Sequence, residues 1–190
     1  QALYHPPHGK EHFYCGEAEP YIFYPSRLEG LKRQDLLIKA AAYLKTPVKI
    51  LIGGSGGQAR AYQQLINDLD VGDRVRLIGR FSEAEKLALY AKSLAVFFGP
   101  YDEDYGYITL EAMLSSKAVI TCSDSGGPLE FVEEAETGFV VEPEPELIAE
   151  RIDYLYSNPS KAHDMGRAGR AAYDDKNISW EHVASQLLGG

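Results

Sequence analysis

Val48-Lys-Ile-Leu-Ile52, Gly53-Gly-Ser-Gly-Gly57, Ala59 to Leu69 and Arg74-Val-Arg-Leu-Ile78 follow one another in a single stretch. The first piece is a short apolar run that stops at four glycines, which marks a buried strand ending in a tight turn. Ala59 to Leu69 carries apolar residues at helical spacing, and Arg74–Ile78 is a second apolar run. A strand, a helix and a strand in this order describe a parallel βαβ unit.

The same alternation extends in both directions. Strands are expected at 21–24, 94–98, 118–121 and 139–141. Helices are expected over 35–44, after the capping box Ser82-Glu-Ala-Glu85, over 107–114, briefly over 128–133, and from about Glu146, Pro159 and Ser179. Strictly alternating elements with right-handed crossovers give an α/β, Rossmann-like, doubly wound parallel sheet flanked by helices. Ligands in that architecture bind beyond the carboxyl ends of the strands. The loops after Tyr24, Ile52, Ile78, Phe98 and Thr121 are therefore where function is expected. Residues 1–20 have no such period and are rich in Pro, His and Gly, as an interdomain linker or domain entry would be. Residues 21–190 form the domain.

Composition narrows the classes. The chain has 190 residues, 45% hydrophobic and 25% charged, which fits one globular domain and excludes global disorder. With 19 Lys plus Arg against 28 Asp plus Glu, the net charge is −9, which argues against general nucleic-acid binding. It leaves room for one small phosphorylated ligand held by local cations. No apolar run is long enough to span a membrane, and no signal peptide is visible. Cys15 and Cys122 are expected as free thiols in a reducing, cytoplasmic setting.

Six features bear on chemistry. Gly54-x-Gly56-x-x-Ala59 satisfies a relaxed dinucleotide fingerprint, but the following strand ends in Gly79-Arg80 rather than the acid that NAD would want. Arg80 beside an extra phosphate keeps an NADP-binding oxidoreductase domain open as an alternative. Ser123-Asp-Ser-Gly-Gly-Pro128 resembles a protease nucleophile loop, in an α/β setting that does not suit one. His5, His8, His12 and Cys15 have metal-binding side chains on a segment without a scaffold. Asp102-Glu-Asp104 is an acidic triplet that could hold a cation. Glu103 and Glu111, with seven residues between them, place one carboxylate in a strand-end loop and one in the first turns of a helix. Between them, Gly106 permits a sharp turn, and the amides near Tyr107 and Ile108 open the helix as an anion site. Arg27 and Lys32, after the first strand, supply cations of the kind that hold a diphosphate.

Taken in order, these pieces resemble the carboxy-terminal, donor-binding domain of GT-B glycosyltransferases of family four, the glycosyl transferases group 1. The resemblance rests on Ser26-Arg-Leu with Lys32-Arg; Ile52-Gly-Gly-Ser-Gly; Asp73-Arg-Val-Arg-Leu-Ile-Gly79; Glu103-x7-Glu111; and Ser125-Gly-Gly-x-x-Glu130. It implies a metal-independent, retaining transferase that moves a hexose from a nucleotide-diphosphate sugar to a glycan or lipid acceptor, with no further cofactor and no metal. Arg27 and Lys32 would hold the diphosphate, Glu103 the donor sugar, and Glu111 the ribose. Tyr107 and Ile108, after Gly106, would meet phosphate. Gly53, Gly54, Gly79, Arg80 and Phe81 would border the nucleoside. The sequence departs from the family at Tyr101, at Arg33, where many members have Gly, and at Ser116-Lys-Ala-Val119. An amino-terminal acceptor domain is expected to be absent from this chain, leaving it inactive alone and with no membrane association of its own. A non-catalytic nucleotide-sugar binding domain remains a further alternative.

Overall fold

The computed structural model describes residues 12–175. Six strands form one parallel sheet: β1 (Tyr21–Pro25), β2 (Lys49–Gly53), β3 (Val75–Gly79), β4 (Ala95–Phe97), β5 (Ala118–Cys122) and β6 (Gly138–Val141). Their spatial order is β3-β2-β1-β4-β5-β6, so chain direction across the sheet reverses between β1 and β4. Register is fixed at the centre by Tyr21 opposite Lys49 and Ile22 opposite Ala95. The reversal point is where an open α/β sheet leaves a crevice.

Burial explains the strands. β1, β4 and β5 are buried throughout, as strands covered on both faces must be, and hence they read as continuous apolar runs. Side chains alternate between two cores. Ile22, Tyr24, Ile50 and Ile52 join one with Leu37 and Ile38 of α1 (Gln34–Ala40), Ile66 of α2 (Ala59–Asp68) and Ile152 of α5 (Pro145–Ser157). Tyr21, Phe23 and Val96 join the other with Tyr90 of α3 (Glu83–Lys92) and Ala112 of α4 (Tyr107–Leu114). A smaller cluster ties Leu110 and Met113 of α4 to Phe13 and to Tyr173 of α6 (Pro159–Asp175).

The expected elements are present, with local differences. The first helix gives way to a 3-10 turn at Ala41–Tyr43, a tighter last turn ahead of Pro47. The short helix expected over 128–133 is a 3-10 turn at Gly127–Glu130. Ser82 and Glu85 form the expected reciprocal capping box. The helix expected from Ser179 and most of the linker lie outside the described residues. No described helix is long and apolar enough to cross a membrane.

Candidate active site

The loop after β1 turns through a 3-10 segment, Gly30–Lys32, and ends at Arg33 in the left-handed region (φ 50°). This brings Lys32 to the carboxyl ends of β1 and β4, where Lys32 Nζ pairs with Glu103 Oε2. Lys32 also lies 5.9 Å from the centre of the Phe98 ring. The Tyr24 hydroxyl donates to the Lys32 carbonyl from beneath. Two sequence-predicted residues, seventy-one positions apart, are thus joined at the reversal point.

The loop carrying Glu103 is held by the loop after β5. The Asp102 amide donates to Asp124 O (3.1 Å), the Glu103 amide to Ser125 O (3.0 Å), and the Gly127 amide to Glu103 O (2.6 Å). Gly126 and Gly127 are glycines because a Cβ at either would lie 2.8 Å from backbone oxygens of Glu103 or Asp104. Ser125 is fully buried and its hydroxyl accepts from the Cys122 amide, so it is no exposed nucleophile. The doubled glycines serve to let two loops touch.

Gly106 caps α4 in the left-handed conformation (φ 60°) with no side-chain cap. The α4 N-cap lies three residues after Glu103, and the helix dipole favours an anion there, while the Thr109 amide turns back to Gly106 O at 2.9 Å. Tyr107 stacks on Tyr105 at 5.4 Å.

Glu111, on α4, is buried, and both its oxygens are engaged. Lys86 Nζ donates at 3.0 Å and the Tyr90 hydroxyl at 2.8 Å. Burial disfavours the Lys86 charge, but Glu111 and Glu83 outweigh it and raise its pKa. Glu111 is thus held in place by a cation and a hydroxyl from α3.

Arg27 lies apart from these pairs. Its side chain is 76% exposed and pairs with Glu29 at 3.3 Å, while its carbonyl is held by Gln34. The glycine-rich loop after β2 faces inward on the chain itself. A Cβ at Gly54 (φ 133°) would sit 2.0 Å from Ser26 O, and one at Gly56 2.3 Å from Leu28 O. These glycines let the loop after β1 approach the loop after β2 closely. Gly53 packs under the Phe81 ring. The Gly54 amide donates to Gly79 O at 2.8 Å, and Arg80 Nε donates to Ser55 Oγ at 3.1 Å. Arg80 and Phe81 also line a groove of about 480 Å³ along α3, which Lys32 and Glu103 do not reach.

Sequence reasoning missed Arg33, Asp124, Lys86 and Tyr90. Arg33 donates to Asp124 through both terminal nitrogens (2.8 and 2.6 Å), to Gly99 O (3.0 Å) and to Pro100 O (2.7 Å). That bond, with the charge beside it, holds the Asp124 carboxyl below its ordinary range. His12 and Cys15 are exposed. No metal-binding cluster occurs among the described residues.

The sheet order β3-β2-β1-β4-β5-β6 is the doubly wound, Rossmann-like arrangement, here with a basic-acidic pair at its reversal point. The sequence matches the family described as "Glycosyl transferases group 1" over residues 14–172. The chain belongs to that family. It is 36% identical over 129 residues to the human alpha-1,3/1,6-mannosyltransferase ALG2, which covers 66% of this chain and 30% of that protein. It is 25% identical over 174 residues to the D-inositol 3-phosphate glycosyltransferase of Mycolicibacterium gilvum, over 89% of this chain and 38% of that one. The chain therefore spans about a third of the length of these relatives. Among solved structures, TarM superposes with a TM-score of 0.84 at 25% identity, over 100% of this chain and 37% of its own. Anabaena Alr3699/HepE in complex with UDP superposes at 0.81 and 23% identity, over 90% of this chain and 49% of its own, a likeness in fold alone.

Proposed function

We propose that this domain is the donor-binding half of a retaining, metal-independent hexosyltransferase that uses a nucleotide-diphosphate sugar. The observation that carries the reading is the Lys32–Glu103 pair beside the α4 N-terminus at the sheet's reversal point. Family membership, a mannosyltransferase relative and UDP bound in the HepE structure support it.

The chemistry follows from where charge develops. As the bond between the anomeric carbon and phosphate breaks, positive charge grows on the sugar and negative charge on the departing diphosphate. Lys32 and the α4 amides, with Arg27 swung in from solvent, offset the second charge, so no cation is required. Glu103 faces the first and accepts bonds from sugar hydroxyls. Glu111, fixed by Lys86 and Tyr90, meets the ribose. Gly53, Gly54, Gly79, Arg80 and Phe81 border the nucleoside. A glycan or lipid acceptor is met by a further domain of the whole enzyme, which works in the cytoplasm; alone, this chain binds donor weakly and transfers little.

A thermal-shift titration with UDP, GDP, ADP and NADP, each with and without a chelator, tests this. Ligand at a hundredfold its Kd adds about 2.7 kcal/mol of stability. The expected result is a chelator-insensitive shift with one nucleoside diphosphate that Lys32→Ala abolishes. A shift with NADP alone would overturn the reading in favour of a dinucleotide site.

A further inference from the structure

Arg33 joins the loops after β1, β4 and β5. Its guanidinium fork closes on Asp124, and its remaining donors reach Gly99 O and Pro100 O. It packs 5.7 Å from the Tyr101 ring and is 17% exposed. All this is done from a left-handed backbone (φ 50°), a conformation that disfavours any side chain relative to glycine. A strained residue persists when its surroundings over-determine it, and four hydrogen bonds do so here. Asp124 and Ser125 in turn accept the amides of Asp102 and Glu103. Lys32, adjacent to Arg33, holds the Glu103 carboxylate.

We propose that Arg33 and Asp124 form a positioning clamp that sets the Glu103 loop against Lys32, and that Arg33 does not serve as a cation for the diphosphate. Its charge is already matched by a bidentate carboxylate. Its donors are spent on two carbonyls and on that carboxylate, leaving little to offer a phosphate. The clamp fixes where Glu103 meets the donor sugar, so it governs the sugar's contribution to binding and leaves the nucleotide's alone. This consequence rests on the donor-site reading above; the clamp itself does not.

The test has a ligand-free arm and a ligand arm, using this chain, Arg33→Gly, Asp124→Asn and the double variant. Amide hydrogen exchange at Asp102 and Glu103 is expected to accelerate at least tenfold in each variant, and by no more in the double, while Val96 and Ile120 stay protected. Arg33→Gly relieves the backbone strain as it removes the clamp, so its melting temperature falls less than the loss of four hydrogen bonds alone would give. Unchanged protection at Asp102 and Glu103 would overturn the clamp whether or not any nucleotide binds. The ligand arm compares UDP with UDP-glucose and GDP with GDP-mannose. The affinity gained from the sugar is expected to fall at least fivefold in the variants, with nucleoside diphosphate affinity held within twofold. A matching loss for the nucleoside diphosphate would make Arg33 a phosphate cation and sink the proposal. If the parent binds none of the four, the donor-site reading fails and hydrogen exchange still decides the clamp.

Discussion

Glu111→Ala separates the structural work of this carboxylate from its proposed work on a ligand. The Glu111 and Lys86 side chains are 10% and 12% exposed, and Tyr90 is fully buried. Removing one partner of a buried pair costs about 3–5 kcal/mol, chiefly for the charge left behind. Lys86 keeps Glu83 at 2.8 Å, which places the loss near the lower figure, about 3 kcal/mol. In a chain of this size that lowers the melting temperature by roughly 6–12 °C. Tyr90→Phe deletes one hydroxyl bond to the same carboxylate and should cost about 1 kcal/mol. Because both changes act on one network, the double variant should lose less than the sum. Denaturant unfolding of the four proteins measures this directly. A Glu111→Ala loss below about 1 kcal/mol, within the range of an exposed pair, would refute the network. Glu111→Gln keeps an acceptor and the side chain's shape. If it folds but binds nucleoside diphosphate more weakly, the carboxylate itself serves the ligand.

Three further outcomes are expected. Gly106→Ala forces a side chain into the left-handed region with its Cβ 2.9 Å from Pro128 N, and should cost about 1–2 kcal/mol or more; an unchanged melting temperature would contradict this geometry. Asp124 has a lowered pKa because Arg33 bonds its charged form, so its stabilising effect is complete above the ordinary carboxylate range and disappears as pH falls through the lower folded value. The gap in melting temperature between the parent and Asp124→Asn should stay constant from about pH 5 to 7 and close below about pH 4. Cys15 is exposed, whereas Cys122 is buried and its thiol pushed up to about 12 by that burial, so a thiol reagent at neutral pH should label one cysteine natively, with the second appearing only on unfolding.

The fold was legible because its information is local. Tyr21 to Tyr24 and Val48 to Ile52 are apolar runs of strand length, and strands buried on both faces leave no other pattern. Ser82 and Glu85 announce a helix start three residues apart. The Lys32–Glu103 meeting was legible only as a shared strand-end address, since sequence gives which end of the sheet a loop occupies and not where its side chains turn. Arg27 has the same address and points to solvent beside Glu29. The partners of Glu111 had a weaker signal. An acid inside Ile108-Thr-Leu-Glu-Ala-Met-Leu114 must be paired if buried, but Lys86 on an amphipathic α3 looks like any surface lysine. Arg33 and Asp124 lie ninety-one residues apart, and no spacing rule reaches that far.

The turn at Gly30–Arg33 shows how one local choice distributes charge across the crevice. Lys32 and Arg33 are neighbours in a basic loop, and on a continuous extended segment they would face opposite ways. The 3-10 turn followed by a left-handed residue instead sends both to the same end of the sheet, Lys32 to Glu103 and Arg33 to Asp124. Each cation arrives at its own acid, so two positive charges sit close together without net repulsion in a chain of net charge −9. The two pairs differ in what a phosphate could do to them. Lys32 is a point charge held by one carboxylate oxygen, as the proposed diphosphate contact requires of it. Arg33 is held by a fork that an anion would have to break twice. The same turn therefore yields one cation able to answer a ligand and one committed to the framework.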